Sequence, residues 1–480
     1  MAAQLRNSIS IGDDAVRMVI KMKKVFSLLL ASLMVVSALG GCSSSNSSSA
    51  SGNSASETSA AGESTAQSAS TAENSADAGE VQIDFWHSFS SGTNLDCIEK
   101  IISDFNAAHE GEYEVVGTYQ GGYADILSKL TVGFAAGECP AVSFCDSVDT
   151  PQLIMNDMLV DLSTYAEEND PSFDFGQYIP GLMNYGTGPD GDYYALPCGR
   201  STPLMYLNLD IVEDATGSKT IPDTRDQLVS LLESVRDNTE ATPFMADMVC
   251  WYFGNFLTSS GGHFLSADGN TSYLAVDNAA LNAFTFWNDL KEQGLYKAAT
   301  VDGLNATDQF INGDVAVIYQ STGSMTQIYD NAQFDIGVGF LVADECYSVA
   351  TGGNNLIIMN TASDEEIAGG WEFIKYATSL EVNAYINEET GYMLNNVNSG
   401  SLESVQKLWE EKPQYKVAYD QLQYVDDQYV SPYFASLNQE IVALLTQMLQ
   451  DGSLTPEQAT EQLLLICDEL LPGGNAETYP

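Results

Sequence analysis

VQIDFWHSF, residues 81–89, reads as a β-strand, because aromatic and β-branched side chains suit a pleated, half-buried surface. Outward from it the pattern alternates. Residues 97–109 place Ile98, Ile101, Ile102 and Phe105 on one helical face, and residues 113–120 return to strand composition. Residues 123–136 form a second amphipathic helix, followed by the short apolar run 141–145. Strand and helix in this order predict an α/β fold: a parallel sheet with helices on both faces, and ligands at the carboxyl ends of its strands.

GDYYALPCGRSTPLMYLNLD, residues 191–210, joins two more strand-like runs, 193–196 and 204–209, across Pro197, Gly199 and Pro203. Arg200, Ser201 and Thr202 fall in the break. There they can face a cleft, or sit on a kinked edge strand. Beyond Asp210 the pattern is mostly helical, with helices over 225–238 and 281–293, strands at 315–320, 336–342 and 355–360, and one long helix from Asp364 to about Glu388. The last helix has Thr455 as N-cap, Pro456 at its first position and Gln458 completing a capping box.

At 480 residues the chain suits two lobes of roughly 150–200 residues plus extras. Lys and Arg number 17 against 66 Asp and Glu, for a formal net charge of −49. Such a polyanion repels nucleic acid and anionic membrane surfaces, so nucleic acid is not an expected partner. Anionic ligands are disfavoured as well, although an Arg in a pocket overrides the field within a Debye length of roughly 8 Å.

Met22-Lys23-Lys24 opens a basic region, residues 25–39 are apolar and uncharged, and Gly40-Gly41-Cys42 follows. The run is short for a membrane span, and the order of parts is that of a secretory signal. Leu39-Gly40-Gly41-Cys42 resembles a lipobox, which marks Cys42 for lipidation. Residues 1–21 have no matching role and suit an upstream start codon. Residues 43–79 are nearly all Ser, Ala, Gly, Thr, Asn and acids, so they read as a flexible tether.

The remaining cysteines, Cys97, Cys139, Cys145, Cys198, Cys250, Cys346 and Cys467, are odd in number and scattered. Buried free thiols are expected from them, not a zinc site or a disulfide framework. No H-E-x-x-H, G-x-S-x-G, Walker-type or EF-hand pattern is present, and no metal or cofactor is expected.

Several stretches together carry a family resemblance. They are Phe85-Trp86-His87-Ser88, Thr118-Tyr119 with Gly122-Tyr123, Cys139-Pro140-Ala141, Ser201-Thr202-Pro203 through Asn208, Phe310-Ile311-Asn312-Gly313-Asp314, Gly323-Ser324, Gly352-Gly353 and Thr390-Gly391-Tyr392. In order and spacing, behind a lipoprotein signal, the chain resembles the extracellular solute-binding proteins of carbohydrate ABC importers, in the branch of the glycerol phosphate-binding proteins.

The resemblance implies a periplasmic-binding-protein-like fold, two α/β lobes joined by crossing strands with solute trapped in the cleft. The first lobe would hold 80–200 and 339–391, the second 201–338 and 392–480. Tyr123, Ser201, Ser321 or Thr322, Gly353 and Tyr392 fall on positions that contact ligand in the family. Other positions depart from the pattern: the expected acid lands on Ser147 with Asp146 beside it, a tryptophan pair is replaced by Trp251, an arginine becomes Tyr433, and Arg200 is new. These changes favour a neutral sugar or oligosaccharide over glycerol phosphate. Aromatic faces would come from Tyr123, Trp251, Tyr392 and Tyr433, and polar contacts from Asp146, Arg200 and Asn354.

A monomer is thus expected, lipid-anchored on the extracellular face of the cell membrane, or its periplasmic side where an outer membrane exists. Its partners would be a carbohydrate and the permease of an ABC importer. A secreted carbohydrate-active enzyme with a carboxylate pair and a surface lipoprotein that binds a glycan are the rival readings. If Arg200 bonds the solute, Arg200→Ala should weaken binding without lowering the ligand-free melting temperature.

Overall fold

A computed structural model describes residues 79–299, 305–426 and 429–479. The expected signal region, the lipid-bearing Cys42 and the tether up to residue 78 lie outside these residues. β1 (Val81–His87) and β2 (Tyr113–Tyr119) pair in parallel, with Val81 opposite Tyr113 and His87 opposite Tyr119. β3 (Val142–Asp146) joins β1 on its other side, also in parallel. The connections are α1 (Gly92–Ala108) and α2 (Tyr123–Ala136), as the alternation predicts.

The rest of this sheet departs from the expected parallel order. β4 (Ala195–Ser201) and β10 (Gly352–Ile358) complete it in the sequence β2-β1-β3-β10-β4, and β10 runs antiparallel to both neighbours. A strand that returns from another lobe is not bound by the handed crossover that makes local strands parallel. β4 also runs unbroken through Pro197 and Gly199, where an interruption was expected. It lies at the edge of the sheet, where a proline's missing N–H is tolerated.

Alternate residues face opposite sides of the sheet. Phe85, Phe144 and Leu356 pack with Phe105 of α1 and with Trp371 and Phe373 of the later helix Asp364–Ala377. Cys145 and Ile357, one residue on, pack with Ile126 and Leu130 of α2 on the other side. This gives the sandwich of helices about a sheet.

A second sheet has the order β7-β6-β8-β5-β9, from β5 (Pro203–Asn208), β6 (Thr242–Ala246), β7 (Tyr296–Ala298), β8 (Val315–Ser321) and β9 (Ile336–Gly339). β5 is antiparallel to β8 and β9, while β6 is parallel to β7 and β8. Met205, Leu207, Phe244 and Tyr319 point to the larger core, built with α3 (Arg225–Asn238), α4 (Cys250–Thr258) and α5 (Ala279–Glu292). Leu204, Tyr206, Met245 and Ile318 point to the smaller one.

The expected long helix is two, α6 (Asp364–Ala377) and α7 (Leu380–Thr390). Thr378 bonds its hydroxyl back to the Ile374 carbonyl at 2.7 Å, and Ser379 takes extended backbone as the N-cap of α7. α8 (Phe434–Leu445) and α9 (Pro456–Leu470) close the fold, with the Thr455–Gln458 capping box read from the sequence in place.

The chain passes from the first sheet to the second and back again. Thr202 alone separates β4 from β5. The return lies between β9 and β10, so Gly339, expected in the first lobe, belongs to the second sheet, where it pairs with Met205. Ser201, expected in the second, ends β4 of the first. Residues after Gly391 also stay with the first lobe longer than expected: Met393 N–H donates to the Arg200 carbonyl at 2.7 Å and Val397 N–H to that of Gln177 at 2.9 Å.

All seven cysteines from Cys97 onward are free, but Cys346 is exposed and Cys139 half-buried, which corrects the expectation that all are buried. Among the described residues, no helix is long and apolar enough to cross a membrane.

Candidate ligand-binding site

Strand register gathers the expected residues along one rim. Asn354 stands opposite Asp146 at the end of β3, Gly353 opposite Arg200, Gly352 opposite Ser201, and Pro203 opposite Ser321. The carboxyl ends of β3, β4 and β8 and the start of antiparallel β10 therefore meet at the boundary of the lobes. That is where an α/β sheet presents side chains to a ligand.

Tyr123 reaches this rim as the first residue of α2, just beyond β2. Its hydroxyl accepts from Asn354 Nδ2 at 3.1 Å, and Asn354 Oδ1 accepts from the Gly199 N–H at 3.1 Å. The buried Asn354 thus ties the ring of Tyr123 to the crossing strand. Burial, and then the nearby charge of Asp146, push the Tyr123 phenol up to about 12. Tyr392 is raised further by burial and by Tyr123 beside it. Its ring lies against Gly323 of the second lobe, where an added Cβ would come within 2.7 Å.

Trp251 comes from the opposite side on α4 and donates its indole N–H to the Ala350 carbonyl at 2.9 Å. Its ring covers Gly352, leaving 3.1 Å to the position of a Cβ there. Tyr433, half-buried, is the residue before α8, and that helix packs on the turn Ser147–Asp149. Ser147 is wholly buried in the turn.

Ser321 and Thr322 separate in role. Thr322 is wholly buried, and its N–H donates to the Thr202 carbonyl at 2.9 Å while its hydroxyl accepts from the Thr202 N–H at 3.4 Å. It fastens the crossover. Ser321 is half-buried and accepts the Gly323 N–H at 3.1 Å.

Arg200 does not sit as the sequence suggested. It has no exposed surface, and its guanidinium is held by acceptors of the protein. Nε donates to the Gly352 carbonyl at 2.9 Å, Nη1 to the Leu182 carbonyl at 2.9 Å and to Asn355 Oδ1 at 3.1 Å, and Nη2 to Thr351 Oγ1 at 2.6 Å. The expected solute contact gives way to a clamp that joins β4 to the loop entering β10. A buried guanidinium needs such partners, because its donors are costly to leave unmade.

The carboxyls behave in the opposite sense. Burial raises Asp146 above the ordinary carboxylate range, against the lowering effects of the Val148 N–H and of Arg200. Burial, and then the charge of Asp146, raise Asp149. Sequence reasoning missed Asp149, and its signal was the S-V-D turn closing β3 at a strand's carboxyl end. It also missed Gln421, whose amide donates to Thr202 Oγ1 at 3.1 Å and to the Pro203 carbonyl at 2.8 Å.

Aromatic faces, amide and hydroxyl groups and two carboxyls are thus brought to one rim, and the single cation among the expected residues is turned into the wall. Among the described residues, no group of three or more His, Cys, Asp or Glu side chains is placed to hold a metal.

Comparison with known proteins agrees with this architecture. The chain is 24% identical over 420 residues to the sn-glycerol-3-phosphate-binding periplasmic protein UgpB of Yersinia enterocolitica, covering 83% of this chain and 94% of that relative. Its fold matches UgpB from Mycobacterium tuberculosis in complex with glycerophosphocholine, with a TM-score of 0.73 at 22% identity over 82% of this chain and 98% of the other. It also matches the GacH receptor of Streptomyces glaucescens, solved unliganded and with acarbose, with a TM-score of 0.72 at 18% identity over 82% of this chain and 98% of the other. Residues 100–417 match the model of the bacterial extracellular solute-binding proteins, and the chain belongs to that family.

Proposed function

We propose that this protein captures a neutral sugar or oligosaccharide between its lobes and delivers it to the permease of an ABC importer. Family membership makes it a binding component and not an enzyme, which sets the carboxylate-pair reading aside. The observation that carries the choice of solute is Arg200, whose donors are taken up by Gly352, Leu182, Asn355 and Thr351. A phosphate ester gains most from a cation that can offer paired N–H donors. Tyr123, Trp251 and Tyr392 instead offer ring faces for the C–H surface of a sugar, and Asp146, Ser201, Ser321, Tyr433 and the backbone at Gly353 offer the polar remainder.

Relatives span both chemistries. UgpB is named for sn-glycerol 3-phosphate, and the GacH receptor was solved with acarbose. In our reading this chain follows the second. Solute that touches both lobes only when they approach shifts the opening equilibrium by its differential affinity. The lobes would turn on the crossovers at Thr202, between β9 and β10, and after Val397. We further propose that Cys42 carries a lipid that holds the chain, as a monomer, on the outer face of the cell membrane.

Thermal melting and calorimetry against glycerol 3-phosphate, glycerophosphocholine and neutral sugars would test this. Stoichiometric stabilisation by a neutral sugar is expected, since a ligand of the folded state raises stability with its concentration. Binding of glycerol 3-phosphate alone would refute it.

A further inference from the structure

β2 is the outer strand of the first sheet and pairs on one side only, with β1. The Val81 N–H donates to the Glu112 carbonyl at 2.9 Å, and the Gln120 N–H to the His87 carbonyl at 3.0 Å. Even-numbered residues here therefore turn their backbone toward β1, while Tyr113, Val115, Gly117 and Tyr119 turn theirs outward, to the open edge. The composition suits further pairing: YEVVGTY has no proline and no lysine, and residues 116–119 are all exposed.

That edge is partly closed by α1, whose last turn lies along it. Asn106 Oδ1 accepts the Val115 N–H at 2.8 Å, and Asn106 Nδ2 donates to the Val115 carbonyl at 3.0 Å. The His109 carbonyl, just past the helix, accepts the Tyr113 N–H at 3.1 Å. One side-chain amide thus makes the two bonds that a facing residue of an antiparallel strand would make. Among the described residues, no protein group bonds the outward N–H or carbonyl of Gly117 or Tyr119.

We propose that Asn106 guards this edge, and that the partner it turns away is a second copy of the chain. Identical edges meet most simply about a two-fold axis, as an antiparallel pair of the same strand. With Val115 taken, only Gly117 and Tyr119 are left to pair, too few for a stable ladder. Acidity guards the same edge at longer range: Glu110, Glu112 and Glu114 are exposed beside it, in a chain of net charge −49. The inference goes beyond solute capture and does not depend on which sugar binds. The guard counts most where copies share a membrane, as proposed above, because tethering raises their local concentration.

Light scattering on size-exclusion fractions tests it, in low salt and in about 1 M NaCl, where the Debye length falls to about 3 Å. Wild type should run at a single chain mass in both. Asn106→Ala should stay monomeric in low salt and reach twice that mass or more in high salt. Adding Tyr119→Pro, which removes an outward N–H, should return it to the monomer. A folded Asn106→Ala that stays monomeric in high salt, wild type that associates as the variant does, or association that survives Tyr119→Pro would each overturn the guard. Hydrogen exchange on the wild-type protein gives a check that does not depend on how any variant folds. The Val115 amide should exchange slowly, and those of Gly117 and Tyr119 about tenfold faster or more. Equal protection of all three would show an edge already closed, and would overturn the proposal as well.

Discussion

Arg200 and Asn355 are joined across the β4–β10 pair, with Nη1 donating to Oδ1 at 3.1 Å and neither residue appreciably exposed. Removing the guanidinium would take this donor from Asn355 Oδ1 and from the Gly352 and Leu182 carbonyls. Arg200→Ala should therefore destabilise the ligand-free protein by about 3 kcal/mol, since unsatisfied buried groups and charged hydrogen bonds are each worth about 1–3 kcal/mol. Urea unfolding checks this, and an unchanged midpoint would restore the solute-facing role.

Gly353 has φ +83°, and a Cβ on it would overlap the carbonyl oxygen of Gly199. The β4–β10 register shifts just after it, between Gly353 and Asn355. Only a residue without a side chain fits there, so Gly353→Ala should cost about 2–4 kcal/mol in the same unfolding measurement and weaken sugar binding as the bulge moves. A variant as stable as wild type would show that the bulge relaxes freely.

The Asp149 carboxyl is raised in the folded state, by burial and then by Asp146. A folded value above the unfolded one stabilises the fold below the ordinary carboxylate range, and the benefit is lost as pH rises through the folded value. Asp149→Asn cannot ionise. Its advantage over wild type in ligand-free stability should be small near about pH 4, widen as pH rises from there toward about 8, and level off above that. Denaturation midpoints across that range decide it, and a pH-independent difference would show that Asp149 is solvated like a surface carboxylate.

Cys346 is exposed, whereas burial pushes the Cys97 thiol up to about 12 and raises Cys145, Cys198 and Cys250 as well. Only a thiolate attacks, so among the seven cysteines of the described fold a maleimide should label Cys346 within minutes and the five buried ones, Cys467 included, only after unfolding. Peptide mapping reads the pattern directly. Prompt labelling of Cys198 in the folded protein would contradict the packing of β4.

Local signals were legible and distant ones were not. Residues 81–145 fold as their own alternation of period two and period 3.6 dictates, and the helix starting at Pro456 has its cap written beside it. β10 inserts between β3 and β4 although it lies some 200 and 150 residues further along, a pairing that no local pattern encodes. Arg200 shows the same limit within the site. Its position beside a crossover was readable, but its direction depends on Leu182, Thr351 and Asn355, which only the folded chain brings near. The break between α6 and α7 turns on one hydroxyl that bonds backwards, a choice Thr378 does not advertise in sequence.

Thr202, the sole residue between β4 and β5, has a mechanical meaning. One residue spans at most about 3.6 Å, so the sheets have no slack to separate or slide at this joint. What remains is torsion about a few backbone bonds, and the mutual hydrogen bonds of Thr202 and Thr322 fix a second point beside the first. Two adjacent pins define an axle. Here the lobes can swing about it, and the rim residues on either side travel on arcs set by their distance from that line.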